Sequence, residues 1–110
     1  VSLHALTGES VTGNSSPGID NTVSSPNGGV GTLHVTANTR DAGTIVIKIQ
    51  HSVDDTAWVD LITFATVNFA VTTKERLSVA GTVNRYVRAL WTVTGATTGT
   101  YTFHTNFARG

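Results

Sequence analysis

Thr44-Ile45-Val46-Ile47-Lys48-Ile49-Gln50 is the stretch that decides the fold. Its three isoleucines stand two residues apart, which puts Ile45, Ile47 and Ile49 on one side of an extended chain and Thr44, Val46, Lys48 and Gln50 on the other. A helix would scatter those isoleucines around its axis, whereas a strand gathers them into an inward stripe. The alternation is the strongest in the chain and predicts a central strand. Arg85-Tyr86-Val87-Arg88-Ala89-Leu90-Trp91 reads the same way: Val87, Ala89, Trp91 and Val93 form an apolar face, and Tyr86, Arg88, Leu90 and Thr92 a mixed one. Tyr101, Phe103, Thr105 and Phe107 alternate with Thr102, His104 and Asn106 in a closing strand. Leu33, Val35 and Ala37 are expected inward from an earlier strand, with Thr32, His34, Thr36 and Asn38 outward.

Between these strands the pattern is less regular. Trp58, Leu61, Ile62 and Phe64 break strict alternation, which predicts a bulge or bend within 58–64. Phe69 and Val71 suggest a short strand or crossover, and 75–79 a strand with Leu77 and Val79 inward. Turns are expected at 38–43, at Gly81 and at 95–99. A chain of 110 residues is enough for one core. Threonine is its most frequent residue and valine the next, both β-branched, while Glu, Lys, Leu and Ala are too sparse for several helices. The expected fold is all-β, a two-sheet antiparallel β-sandwich or jelly roll. Its core is expected to hold Ile45, Ile47, Ile49, Val87, Trp91 and Phe103.

Residues 1–30 differ in composition, being mostly Gly, Ser, Thr, Asn and Pro, with turns at Ser16-Pro17-Gly18 and Ser25-Pro26-Asn27-Gly28-Gly29. Short strands fit only at 3–6, 9–12 and 19–23. Two readings stand for this segment: edge strands and loops of the same sandwich, or an extended arm across an adjacent subunit. Residues 31–110 form the β-sandwich domain in both.

Seven Lys and Arg balance seven Asp and Glu, and a formal charge of zero argues against capture of nucleic acid or an anionic membrane. It also leaves little colloidal repulsion, which favours self-association. No apolar run is long enough to span a bilayer, and no basic segment precedes an apolar one as in a secretion signal, so a soluble chain is expected. Cysteine is absent, and packing must carry the stability.

The residues able to do chemistry are few. His34 and His104 would share an outward face if their strands are neighbours, offering two imidazoles to a surface metal; lone histidines on half-buried strands are more often polar residues on the wet face. Asp54, Asp55 and Asp60 lack the regular oxygen ligands and the glycine of a calcium loop and read as a solvated turn. His51 precedes Ser52 without a Gly-x-Ser-x-Gly elbow, and Glu9 and Glu75, the only glutamates, show no sign of meeting an aspartate. No enzyme, metal or cofactor is expected. For an interface the candidates are Tyr86, Arg88 and Leu90 on the outer side of their strand, with Arg85 and Arg76 able to meet acidic groups of a neighbour. Asp54, Asp55 and Trp58 form an alternative ligand loop.

Two resemblances follow from these runs. Ser52-Val53-Asp54-Asp55-Thr56-Ala57-Trp58, followed by Arg85-Tyr86-Val87-Arg88, resembles the galactose-binding-like (discoidin-type) jelly rolls over 43–94, with Asp55 standing where those domains carry a turn glycine. A closer resemblance, over about three quarters of the chain, is to small bacteriophage virion proteins. It rests on the Gly/Ser/Thr-rich start, the block Ile49-Gln50-His51-Ser52-Val53-Asp54-Asp55-Thr56-Ala57-Trp58-Val59-Asp60-Leu61, the block Val79-Ala80-Gly81-Thr82-Val83-Asn84-Arg85-Tyr86-Val87-Arg88, and the aromatic closing strand. That resemblance implies a capsid decoration or minor capsid protein on the virion surface, soluble in the host cytoplasm before assembly. The implied partners are the major capsid protein and copies of the chain itself, in a homo-oligomer such as a trimer. A tail component and a carbohydrate-binding or receptor-facing module are the alternatives.

Overall fold

The computed structural model describes residues 2–9, 12–15, 18–95 and 99–110; of residues 5–7 it describes the backbone. Ten strands follow in chain order: β1 (Ser2–Glu9), β2 (Gly13–Asn14), β3 (Ile19–Asp20), β4 (Gly29–Asn38), β5 (Thr44–Ser52), β6 (Val59–Thr63), β7 (Val67–Asn68), β8 (Thr73–Val79), β9 (Tyr86–Thr94) and β10 (Tyr101–Arg109). No helix occurs among the described residues. The strands form two antiparallel sheets, one ordered β1-β10-β4-β8 and the other β2-β9-β5-β6, with β3 beside β2 along β9 and β7 beside β6 along β5. The chain crosses repeatedly between the two layers, and its first strand lies beside its last. This is jelly-roll connectivity, so the all-β sandwich expected from the alternation is the observed architecture.

The core lies where the inner faces meet. Ile45, Ile47 and Ile49 of β5 and Val87, Ala89 and Trp91 of β9 project from one sheet, and Leu33, Val35, Tyr101, Phe103 and Phe107 from the other, all buried. Gly31 on β4 leaves room for the facing layer: a Cβ there would stand 2.6 Å from Ile49 Cδ1 and 2.8 Å from Ile62 Cδ1. Phe103 stacks on His4 at 3.9 Å and meets Trp91 edge-on at 5.7 Å, so an aromatic cluster ties β1, β10 and β9 together.

Register explains where the sequence reading departs from the structure. Ala37, expected inward, is exposed, because Phe103 pairs with Val35 but Thr102 pairs with Ala37. The extra residue on β4 is a bulge that shifts the phase beyond it. The irregularity expected within 58–64 is the step between Gln50↔Asp60 and Ile49↔Ile62, where Leu61 is the surplus residue. Glu9 ends β1 instead of opening a strand over 9–12, which extends in part outside the described residues. Phe69 and Val71 lie in the loop after β7, both exposed. The third early candidate shortens to the two residues of β3.

Two inward hydroxyls on β10, Tyr101 Oη and Thr105 Oγ1, are buried without a hydrogen-bond partner among the described residues. A buried hydroxyl with no partner opposes folding, and valine matches threonine in shape and β-branching. Thr105→Val is therefore expected to stabilise the protein by about 1–2 kcal/mol. Urea unfolding of both proteins checks it, the midpoint rising at unchanged slope.

Candidate functional site

The outer face of the β2-β9-β5-β6 sheet carries an ordered array of polar side chains. Pairing sets it up: Gln50 of β5 lies opposite Arg88 of β9 and Asp60 of β6, and Lys48 opposite Leu90 and Thr63. Lys48 Nζ donates to Asp60 Oδ2 at 2.9 Å, and Gln50 Nε2 donates to Asp60 Oδ1 at 2.9 Å. Arg88 donates through Nε and Nη2 to Gln50 Oε1, at 3.0 and 2.9 Å. The same guanidinium lies 4.3 Å from the centre of the Trp58 ring. Lys48, Asp60, Gln50, Arg88 and Trp58 thus form one chain of contacts across three strands and a turn.

Its electrostatics follow from these contacts. Hydrogen bonds from Gln50 and Lys48 hold the Asp60 carboxyl below its ordinary range. Burial lowers Arg88 from the usual guanidinium value, with the Asp55 charge opposing that shift. At the end of the face Arg85 donates to both oxygens of Asp20, at 2.6 and 2.8 Å, and lies 5.0 Å from the Tyr86 ring centre. That fork, with a further hydrogen bond from Thr22 N, lowers Asp20 to about 2 and raises Arg85.

The 53–58 turn is organised from within. Asp54 Oδ1 accepts Thr56 N, Ala57 N and the Ser52 hydroxyl, which together depress its carboxyl far below the usual range. Asp55 takes the left-handed conformation, φ 62°, and its Oδ1 accepts Gly18 N at 3.0 Å. That backbone is the one a turn glycine would supply, and an aspartate tolerates it. Gly18 sits so close to Trp58 that a Cβ on it would stand 2.5 Å from the ring. Both turn carboxylates are engaged in fixing the loop, and the indole has a guanidinium over it and a backbone against it.

The structure therefore separates the residues singled out from sequence. Tyr86, Arg88 and Leu90 share the outer face and are half-buried, with Trp58 beside Arg88. Arg85 is paired internally, and Arg76 lies on β8 of the other sheet. Ile45, Ile47, Ile49, Val87, Trp91 and Phe103 are all in the core. Sequence reasoning missed Lys48, Gln50 and Asp20, and it read Asp60 as part of a solvated turn, whereas Asp60 lies on β6 bonded to Lys48 and Gln50. The first two were visible as outward positions of β5, but their partners depend on which strands become neighbours. Among the described residues no group of three His, Asp or Glu converges as a metal site would require.

His51 lies at the end of β5, where Nδ1 accepts Asn84 N–H at 3.0 Å. Burial, with a smaller contribution from Arg109, lowers it below the ordinary histidine value of 6.5. The unfolded chain therefore takes up this proton before the folded one does, so stability holds above about pH 6.5 and falls as the pH drops towards the folded value. Asp20, Asp54 and Asp60 act at lower pH, their contribution being lost as the pH falls from about 4 towards their depressed values. Melting temperatures between about pH 8 and 5 are expected to decline, less steeply in His51→Gln.

No protein-family model matches the chain, and a search of curated proteins finds no match to it.

Proposed function

We propose that the chain is a non-enzymatic virion structural protein, a capsid decoration or minor capsid protein that docks on the major capsid lattice through the outer face of the β2-β9-β5-β6 sheet. The observation that carries this reading is the Lys48–Asp60–Gln50–Arg88–Trp58 chain of contacts. Side chains that hold one another in place lose little freedom on binding, and arginine and aromatic residues contribute most to interfaces. Tyr86 and Leu90 add half-buried surface on the same strand. Val53 in the turn next to the face and Val59 at the start of β6 are exposed, 68% and 59% accessible, which monomer stability does not require. Jelly rolls serve both capsid and lectin roles, so the fold alone does not choose between them.

A carbohydrate site on the 53–58 turn is the less favoured reading. A sugar would need a free aromatic face and free carboxylates, and Trp58, Asp54 and Asp55 are covered or hydrogen-bonded.

Co-sedimentation with capsid shells assembled without the chain tests the proposal. The protein is expected to pellet with the shells, and a Tyr86→Ala/Arg88→Ala/Leu90→Ala variant that keeps its fold is expected to stay in solution. Sedimentation equilibrium reports whether the free chain is a trimer. Binding of the monomer to a glycan array without binding to shells would replace this reading with the carbohydrate module.

A further inference from the structure

The opposite outer face, on the β1-β10-β4-β8 sheet, is built differently. Register aligns His104 of β10, His34 of β4 and Lys74 of β8 in one row, and Asn106, Thr32 and Arg76 in the next. The imidazoles of His34 and His104 meet edge-on at 5.5 Å. Thr32, His34, Lys74, Arg76 and His104 line a depression of about 400 Å3, together with Leu33 and Glu75.

What sets this face apart is its unbalanced charge. Lys48 and Arg85 on the other sheet have carboxylates at 2.9 and 2.6 Å, Arg88 has Gln50, and Arg109 donates to the carbonyls of Val83, Asn84 and Arg85. Lys74 and Arg76 have no ion-pair partner among the described residues. Glu75 lies between them in sequence, but its carboxylate reaches the β6–β7 connection and accepts Ala65 N–H at 2.9 Å. Glu9, on β1, is 3.8 Å from His4, whose ring packs inward on Phe103. Seven positive and seven negative side chains cancel over the chain; setting Lys74 and Arg76 aside leaves five against seven. Counted against Glu75, which also lines the depression, Lys74 and Arg76 leave a local excess of one positive charge.

We propose that this depression binds a small oxyanion ligand, its negative groups held by Lys74 and Arg76 with hydrogen bonds from His34, His104 and Thr32. The two cations are two residues apart on one strand face, about 7 Å, a spacing that suits a ligand with two anionic groups or one group bridged between them. The volume fits a molecule of monosaccharide size, not a protein surface. Two charges are too few to hold a nucleic-acid backbone, in keeping with the zero net charge. Edge strands also carry lysine and arginine to prevent pairing with another sheet. That role needs charge alone and has no use for a depression with two imidazoles across it. The inference concerns the face opposite the docking face and stands independently of it.

Amide chemical shifts of the intact chain, followed during titration with inorganic phosphate at an ionic strength held constant with sodium chloride, test it. Parallel titrations with sulfate and citrate distinguish tetrahedral oxyanions from carboxylates. Saturable shifts centred on Thr32, His34, Lys74, Arg76 and His104 with at least one of the three anions are expected. Lys74→Gln/Arg76→Gln should weaken that binding at least tenfold. Shifts that do not saturate with any anion, or that spread over both sheets, overturn the proposal, and this wild-type readout holds even where the double variant does not fold. A double variant that aggregates while the wild type shows no saturable binding identifies the two cations as edge guards and also overturns it.

Discussion

Phe103→Ala is expected to lower the unfolding free energy by about 3–5 kcal/mol, the usual cost of emptying a phenylalanine site in a packed core. Phe103 is fully buried between the layers, stacked on His4 and edge-on to Trp91. Its removal takes away apolar burial and both aromatic contacts, and β10, held between β1 and β4, has little freedom to collapse into the space. Small domains are stable by only about 5–15 kcal/mol, so the loss is a large share of the total. Calorimetry should show a melting point lower by roughly 15–30 °C. Phe103→Leu, which keeps most of the volume, is expected to retain the greater part of it. A drop below about 1 kcal/mol for the alanine variant would mean that the two sheets are not packed at this point.

Gly28→Ala is the second large effect, and it comes from the backbone. Gly28 has φ 61°, and a Cβ there would lie 1.9 Å from Val79 O. That oxygen belongs to the main chain of β8, so no change of rotamer relieves the contact. Gly28 N also donates to Gly81 O at 2.7 Å, and Gly110 N donates to Gly28 O at 2.9 Å, so the residue joins three segments at one end of the sandwich. Gly81 is the internal control: φ is 89°, but nothing lies within 4 Å of its Cβ position. Gly81→Ala should cost only the left-handed backbone term, about 1–2 kcal/mol. Gly28→Ala should add the steric cost and exceed about 3 kcal/mol. Equal losses in urea unfolding would show that the close approach to Val79 is easily relieved.

The parts of this fold legible in the sequence are the strands with neighbours on both sides. β5, β9 and β10 are each covered by the other layer along their length, so burial imposed a clean period of two on Ile45 to Ile49, Val87 to Val93 and Tyr101 to Phe107. β2 and β3 are two residues each at an edge, too short for any period. Ala37 was misplaced because a bulge changes the phase without leaving a mark in composition. The proposed docking face was half legible. Tyr86, Arg88 and Leu90 are alternate residues of one strand and could be grouped from sequence, whereas Arg88 meets Trp58 and Gln50 only because three strands assemble in a particular order. Arg85 and Arg76, grouped with them by charge, end on an ion pair and on the opposite face. Residue type named the candidates; pairing over long chain separations decided which of them meet.

The position of the last strand bears on how the protein folds. β10 lies between β1 and β4, so its sheet is complete only when segments about a hundred residues apart in sequence come together. Without β10, β1 has no partner within the sheet and β4 has only β8. His4 reaches the carbonyl of Phe103, 99 residues downstream, only across this long separation. Closure of the sheet is therefore expected at the slow pace typical of β topologies rich in distant pairings. A chain lacking the nine residues of β10 would expose two open strand edges in place of a sealed layer.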